Sequence, residues 1–524
     1  MFPQVLHELV AHNLPANAER VAIVHGERSL TYADLAGEIA AWVSWLSDRG
    51  VGRGDRIGIH LGKSPEEIIL IFAAARLGAI FVDISTALKP AQVGHIVRDA
   101  GIKALAVDRT RFAGLSADGV LDAVETVFVS GDSAPDPRVL AFAERPRLPT
   151  FRGDPPIDLD VAGLFYTSGS TGRPKGVAFT HGNLLAGARA VATYLKNAPS
   201  DRILSVLPFS FDYGFSQVTT AFLAGASVIL QPIAIASEIA KAAATYAATG
   251  LGLVPPAWIE LTRYLIESGD RLPSLRYVTN SGGRIPMSTL EQMPTAFAGT
   301  EIYLMYGLTE GFRATFLDPA LFETKMGAMG RAIPGTQVFV VDPAKGLCGA
   351  NEPGELVQRG SLIAKGYWGR PEDTAAKIRP NPFLAPLIGD ENVLHSGDTV
   401  YADEDGILWF VGRNDGMLKS SGYRISPEEI EEFVMATGLV KEVIAFGIPD
   451  ERLGQTIHVA VAWSGSANED VLMRRCRAGL PSHMVPKSIR DWGDRLPRTS
   501  SGKFDRSRIA MESADTAMDT NETL

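Results

Sequence analysis

A short apolar run that empties into a loop of small and hydroxyl-bearing residues constrains this chain more than any other feature. Val161-Ala162-Gly163-Leu164-Phe165 has the length and character of a buried strand. It leads into Tyr166-Thr167-Ser168-Gly169-Ser170-Thr171-Gly172-Arg173-Pro174-Lys175-Gly176. Glycines let a backbone turn tightly and bring its N–H groups against an anion. The hydroxyls of Thr167, Ser168, Ser170 and Thr171 add neutral donors, and Lys175 adds a mobile positive charge. A phosphate-binding loop at a strand end is therefore expected. It is not the Walker pattern, because Gly176 follows Lys175 where Ser or Thr is required, and the glycine spacing differs. A generic Gly/Ser surface loop is the bland alternative; the hydroxyl density, the Pro-Lys-Gly end and the preceding strand argue against it.

The surrounding chain places that strand in an α/β architecture. Arg56 to His60 reads as a strand, and Ser64 and Pro65 with Glu66 and Glu67 read as the start of a helix ending at Gly78. Ala79 to Val82 reads as the next strand. The same rhythm recurs at 203–232 and 251–280, which predicts layered, largely parallel sheets with helices between them. A chain of 524 residues exceeds what one core usually holds. The character changes after Gly412-Arg413-Asn414-Asp415, where Ser426-Pro427-Glu428-Glu429 starts a helix and Val443–Phe446 and Val459–Ala462 read as strands. The expected division is a large N-terminal domain over 1–413, a small mobile α+β domain over 414–510, and a polar tail over 511–524 that lacks periodicity and is expected to be disordered.

Charge and cysteine usage narrow the function classes. A net charge of -10 argues against a general nucleic-acid or membrane-surface binder. Cys348 and Cys476 are far apart and lack metal-ligand spacing, so neither a disulfide framework nor a zinc site is expected. No run approaches the ~18 apolar residues of a membrane span, and Met1-Phe2-Pro3-Gln4 does not open a secretory signal. A cytoplasmic setting is expected.

The loop at 166–176 resembles the signature of the adenylate-forming superfamily, which includes acyl-CoA synthetases, peptide-synthetase adenylation domains and luciferases. The resemblance spans nearly the whole chain. Tyr306-Gly307-Leu308-Thr309-Glu310 resembles the second signature, which implies Tyr306 packed on adenine, Thr309 at the α-phosphate and Glu310 holding Mg²⁺. Ser396-Gly397-Asp398 resembles the ribose-binding turn, with Asp398 accepting from the hydroxyls. Gly282 and Gly283 are placed on the nucleotide side, with Gly307 between nucleotide and acid. Arg413 is implied to touch the nucleotide, and Asp415 to be the hinge about which the small domain turns. Leu496 to Lys503 resembles the last signature, whose lysine bridges carboxylate and α-phosphate, so Lys503 is the implied catalytic residue together with Thr309 and Glu310. ATP and Mg²⁺ are the implied cofactors. The implied chemistry has two steps: adenylation of a carboxylic acid with loss of pyrophosphate, then attack by a thiol.

The acid is addressed by Leu207-Pro208-Phe209-Ser210-Phe211-Asp212-Tyr213-Gly214 and by Gly311-Phe312-Arg313-Ala314. In amino-acid-activating relatives the aspartate at the position of Asp212 holds the substrate amine. Arg313 presents a bidentate fork suited to a second carboxylate. Asp212, Ser281 and Arg313, flanked by Phe211 and Tyr213, resemble the trio of stand-alone β-amino-acid adenylating enzymes of the aspartate type, which load a carrier protein. That resemblance implies an amino acid with a second carboxylate, aspartate or 3-methylaspartate, activated at its β-carboxylate. Two simpler readings stand beside it: Asp212 turned to solvent or bonded to a backbone amide, and Arg313 paired with Asp212. Alternatives for the whole chain are an acyl-CoA synthetase of a fatty or aryl acid and, from another class, a non-catalytic nucleotide-binding protein of the same fold. No residue separates an acyl carrier protein from coenzyme A as the thiol acceptor.

Overall fold

The computed structural model describes residues 2–132, 135–145, 153–167, 174–413, 417–466, 468–497, 504 and 506–519, with backbone alone at 413, 424, 507 and 514–519. The chain forms two compact units. The first holds Met1–Thr86, Pro90–Tyr166 and Gly176–Gly412, and the second gathers the described residues of Ala87–Lys89, Thr167–Lys175 and Arg413–Leu524.

Three sheets build the first unit. One has eight strands in the order Gly366–Tyr367, Lys175–Thr180, Val161–Thr167, Ile80–Asp83, Arg56–His60, Ile102–Asp108, Thr126–Ser130 and Val139–Ala141. From Val161–Thr167 to Val139–Ala141 every pairing is parallel. Another has nine strands, with a parallel centre of Glu301–Tyr306, Tyr277–Asn280, Gly250–Leu253, Arg202–Ser205, Ser227–Leu230 and Val21–His25. The third is antiparallel around Thr336–Asp342, Gly354–Gly360 and Val393–Ala402.

The expected α/β layering is what forms, and the reason is visible in burial. Helix Pro65–Leu77 follows Ser64 and Pro65 as expected, although the Ser64 side chain makes no capping bond. It is apolar nearly all round because it lies in the core with Phe81, Phe165 and Phe215. Gly78 closes it at φ 71°, a left-handed conformation open to glycine without penalty.

The second unit has its own core. Strands Val440–Asp450 and Gly454–Trp463 form a long antiparallel pair, and Ser488–Asp491 adds in parallel. Helices Pro427–Ala436 and Glu469–Gly479 cover it through Ile430, Val434, Leu472 and Cys476. Residues 511–519, within the tail expected to be disordered, continue a helix. That helix runs from Arg506 to Asp519, anchored by Ile509, which is fully buried with Ile444, Phe446, Ala460 and Leu496. A single apolar anchor near the start of a polar helix leaves no periodicity downstream to read.

Candidate active site

The acid-side residues meet because three chain segments are tied together. Helix Asp212–Ala224 begins right after Phe211, which is extended at φ -104°. Gly214 makes that start possible, since a Cβ there would lie 2.1 Å from the Pro208 carbonyl oxygen. The next tie is Tyr213, whose hydroxyl lies 2.8 Å from the Thr279 carbonyl and 2.6 Å from its Oγ1. This pins the helix start to strand Tyr277–Asn280, and Ser281 follows that strand directly. Phe211 stands edge-on to the Tyr213 ring at 6.2 Å.

Arg313 arrives by an unusual turn. Thr309–Gly311 form one 3-10 turn, and Phe312 then takes φ 58°, ψ -58°. With the Arg313 N–H donating to the Gly311 carbonyl at 2.6 Å, this is a γ-turn of the positive-φ kind, rare and strained. Such a backbone costs about 1–3 kcal/mol and persists only when its surroundings impose it. The Phe312 ring is buried against Phe179 at 5.8 Å and lies where a Cβ on Gly187 would come within 2.5 Å. Gln358 Nε2 donates to the carbonyls of both Gly311 and Arg313, at 3.1 and 2.9 Å. Gly307 completes the clamp: a Cβ there would sit 3.0 Å from the Arg313 Cα.

The turn drives Arg313 inward, leaving it 2% exposed. Its Nη1 donates to Ser281 Oγ at 3.3 Å and lies 4.0 Å from Asp212 Oδ2. The guanidinium carbon is 4.8 Å from the Tyr213 ring centroid. Nε and Nη2 make no hydrogen bond among the described residues. Asp212 is buried too, and burial pushes its carboxyl up to about 6, against the pull of Arg313 and of backbone N–H groups at the helix start. The solvent-facing reading of Asp212 is thereby corrected, while its bond to backbone amides is real. The loose 4.0 Å approach of Arg313 is an ion pair without a hydrogen bond. Beside them lies a cavity of about 20 Å³, lined in part by Tyr213, Ser216, Gln217, Thr279 and Arg313. It takes about one water molecule, and Val191, Leu195, Ile203 and Met305 make most of its remaining wall apolar.

The nucleotide-side residues also converge. Tyr306 ends strand Glu301–Tyr306, and its hydroxyl donates to Asp398 Oδ2 at 2.5 Å. Asp398 sits on a bulge, because the pairing with strand Gly354–Gly360 slips register between Glu355 and Val357. Bulges re-aim side chains beside active sites. Gly397 at φ 76° makes the bend, its N–H donating to Glu355 Oε1 at 2.9 Å. Burial would raise the Glu355 carboxyl, but bonds from His395 and Gly397 hold it below its usual range. Glu310 is buried on the turn between Tyr306 and Arg313, with the Tyr367 hydroxyl donating to its Oε1 at 2.5 Å. Asn280 Nδ2 holds the carbonyl of Gly283 at 2.9 Å, and Gly282 turns at φ 83°.

Of the remaining predicted residues, Thr167 closes strand Val161–Thr167 and Lys175 opens strand Lys175–Thr180. Ser168, Gly169, Ser170, Thr171, Gly172, Asp415 and Lys503 lie outside the described residues, as does the side chain of Arg413. Sequence reasoning missed Gln358, Glu355 and Tyr367. Their partners lie 57 residues away for Tyr367 and 47 for Gln358 with Gly311, so no local pattern marks them. Both cysteines are free, and no described helix is long and apolar enough to cross a membrane.

Known proteins resemble this chain in sequence and fold. The family model described as AMP-binding enzyme matches residues 10–368, and that of the AMP-binding enzyme C-terminal domain matches 429–503. The 3-hydroxybenzoate–CoA ligase of Aromatoleum sp. (strain CIB) is 28% identical over 94% of this chain and 93% of its own length. A feruloyl-CoA synthase of Amycolatopsis sp. is 30% identical, covering 92% and 94% respectively. The solved complex of VinN with L-aspartate is 27% identical, covers 78% of this chain and 99% of that one, and superposes with a TM-score of 0.68. By the match of its larger domain and by relatives spanning its length, the chain belongs to the AMP-binding enzyme family and is an ATP-dependent, AMP-forming acid–thiol ligase.

Proposed function

We propose that this ligase adenylates an amino acid carrying a second carboxylate, of the aspartate type, at its distal carboxylate and passes the acyl group to a thiol. The observation that carries this reading is Arg313: a buried guanidinium hydrogen-bonded to Ser281 and facing the Tyr194 hydroxyl, 4.0 Å from a buried aspartate, with two nitrogens unbonded among the described residues. A buried cation is costly unless paired. A substrate carboxylate on Arg313 and Ser281, with the substrate ammonium on Asp212, satisfies all three at once. The solved VinN relative was captured with L-aspartate, which agrees in substrate class.

In the first step a carboxylate oxygen attacks the α-phosphorus of ATP and pyrophosphate leaves, giving acyl-AMP. In the second a thiol sulfur attacks the acyl carbon, giving thioester and AMP. Tyr306 and Asp398 position the adenosine, and Thr309 faces the α-phosphate. The family motif assigns Lys503 to bridge the acid carboxylate and the α-phosphate. Glu310 is a lone buried carboxylate with no cluster of metal-ligating side chains around it among the described residues. That suits Mg²⁺, which takes one or two carboxylates and completes its shell with phosphate oxygens and water. Bound there, Mg²⁺ would supply positive charge against the phosphates. The loop at 167–175 and Asp415 are assigned the phosphate cradle and the hinge on the same motif grounds.

The second reading, an aryl or fatty acyl-CoA synthetase, draws on the names of the relatives. It leaves Asp212 and Arg313 lining an apolar ligand. Acid-dependent pyrophosphate release over a panel of aspartate, 3-methylaspartate, 3-hydroxybenzoate, ferulate and octanoate separates the two. Turnover confined to the aromatic or fatty acids rejects the amino-dicarboxylate reading. Parallel reactions with coenzyme A and with an acyl carrier protein decide the thiol acceptor.

A further inference from the structure

A second group of buried charges lies away from the nucleotide and acid residues. Lys63 follows strand Arg56–His60, Glu67 stands in the first turn of helix Pro65–Leu77, and Asp83 closes strand Ile80–Asp83. Glu67 and Asp83 are 5% and 4% exposed and close enough for each to perturb the other's carboxyl. Two carboxyl groups in that contact must share a proton. Burial raises both carboxyls and lowers the ammonium of Lys63, and their mutual charges oppose its loss of the proton. Glu67 Oε2 and Asp83 Oδ1 bond nothing further among the described residues.

Lys63 retains some exposure as a residue, yet its ammonium turns toward the other parallel sheet. It donates to the Leu207 carbonyl at 2.7 Å and to Ser205 Oγ at 3.1 Å, and lies 3.7 Å from the centroid of the buried Phe209 ring. Ser205 ends a strand of that sheet, and Leu207 to Phe211 is the segment that delivers Asp212. Gly214 packs directly on the carbonyls of Leu207 and Pro208, so the segment and the helix start move as one piece.

We propose that Lys63 is a positioning residue for acid selection: gripping Leu207, Ser205 and the Phe209 face, it fixes the segment that presents Phe211 and Asp212 to the acid. Glu67 and Asp83 hold the lysine charged inside the fold, with one negative charge and one proton between them. The eight-stranded sheet thereby sets the geometry of a pocket built on the nine-stranded one.

The charge count makes this testable without leaving a buried ion. Glu67→Gln keeps one carboxylate opposite Lys63, so its kinetics should match the parent. The triple variant Lys63→Met, Glu67→Gln, Asp83→Asn is neutral and close in volume; its acid KM should rise on the order of tenfold, with the ATP KM within about twofold, because small misplacements at a bound reactant are costly. Phe209→Leu, which removes the ring beneath the ammonium, should shift the acid KM the same way and carries the test if the triple variant does not fold. Parent-like acid KM in the triple variant, or in Phe209→Leu when the triple variant is insoluble, overturns the proposal, as does an equal change in both KM values. The inference rests on the acid-site reading of Asp212, and Asp212→Asn run alongside separates the failures. An unchanged acid KM in Asp212→Asn overturns both. A raised one there with none in the Lys63 variant overturns this proposal alone.

Discussion

At the scale of single residues, the proposed function has Arg313 and Asp212 divide the work of acid recognition by charge. Arg313→Ala should lower kcat/KM for an amino dicarboxylate by about 10²–10³-fold, the range for losing a buried charge-assisted contact. The ATP KM should stay nearly unchanged, because Tyr306, Asp398 and Glu310 do not depend on the guanidinium. Steady-state kinetics varying each substrate in turn reads both. Asp212 adds a pH signature. Burial raises its carboxyl to about 6, so it loses its charge as pH falls through that value and can no longer pair with an ammonium. The kcat/KM for an amino acid should therefore fall about tenfold per unit below pH 6, and Asp212→Asn should flatten that limb. Both residues were legible in the sequence as candidates, since Phe211-Asp212 and Phe312-Arg313 stand inside recognisable motifs. The distance between them was not, because it depends on a turn that no residue pattern encodes.

Among the elements, the γ-turn at Phe312 is what places Arg313. Its support is negative as well as positive: Gly187 and Gly307 leave space, and Gln358 and Phe179 fill the rest. Gly187→Ala should drive a methyl into the Phe312 ring, costing about 1–3 kcal/mol by overpacking and raising the acid KM. Denaturant unfolding and kinetics on one preparation check both effects. The helix Arg506–Asp519 is the element that sequence reading missed. Ile509→Ala should destabilise the C-terminal unit by about 2–5 kcal/mol, read as a lowered unfolding midpoint. The strands and helices of the parallel sheets were readable because their apolar runs are long and bounded by glycine and proline. The bulge at Ser396–Asp398 was readable only as a motif; its physical cause, Glu355 gripping the Gly397 N–H, lies a strand away.

For the whole molecule, the chain belongs to the AMP-binding enzyme family and buries the charged pair Arg313 and Asp212 in its larger unit. Under the proposed mechanism, Lys503→Ala should cut acid-dependent adenylation by about 10²–10³-fold. Thioester formation from preformed acyl-AMP should survive that substitution, and an assay of the second half-reaction alone shows it. The family and the division into large and small parts followed from motif order along the chain, whereas the proposed acid rests on three distant segments whose meeting no single motif encodes. The most direct measurement compares aspartate with β-alanine, which lacks only the carboxylate assigned to Arg313, in ATP–pyrophosphate exchange by the parent protein and by Arg313→Ala. The parent should favour aspartate by about 10²-fold or more, and the substitution should erase most of that preference. A parent that does not distinguish the two, or a preference that survives loss of Arg313, would contradict the proposed function.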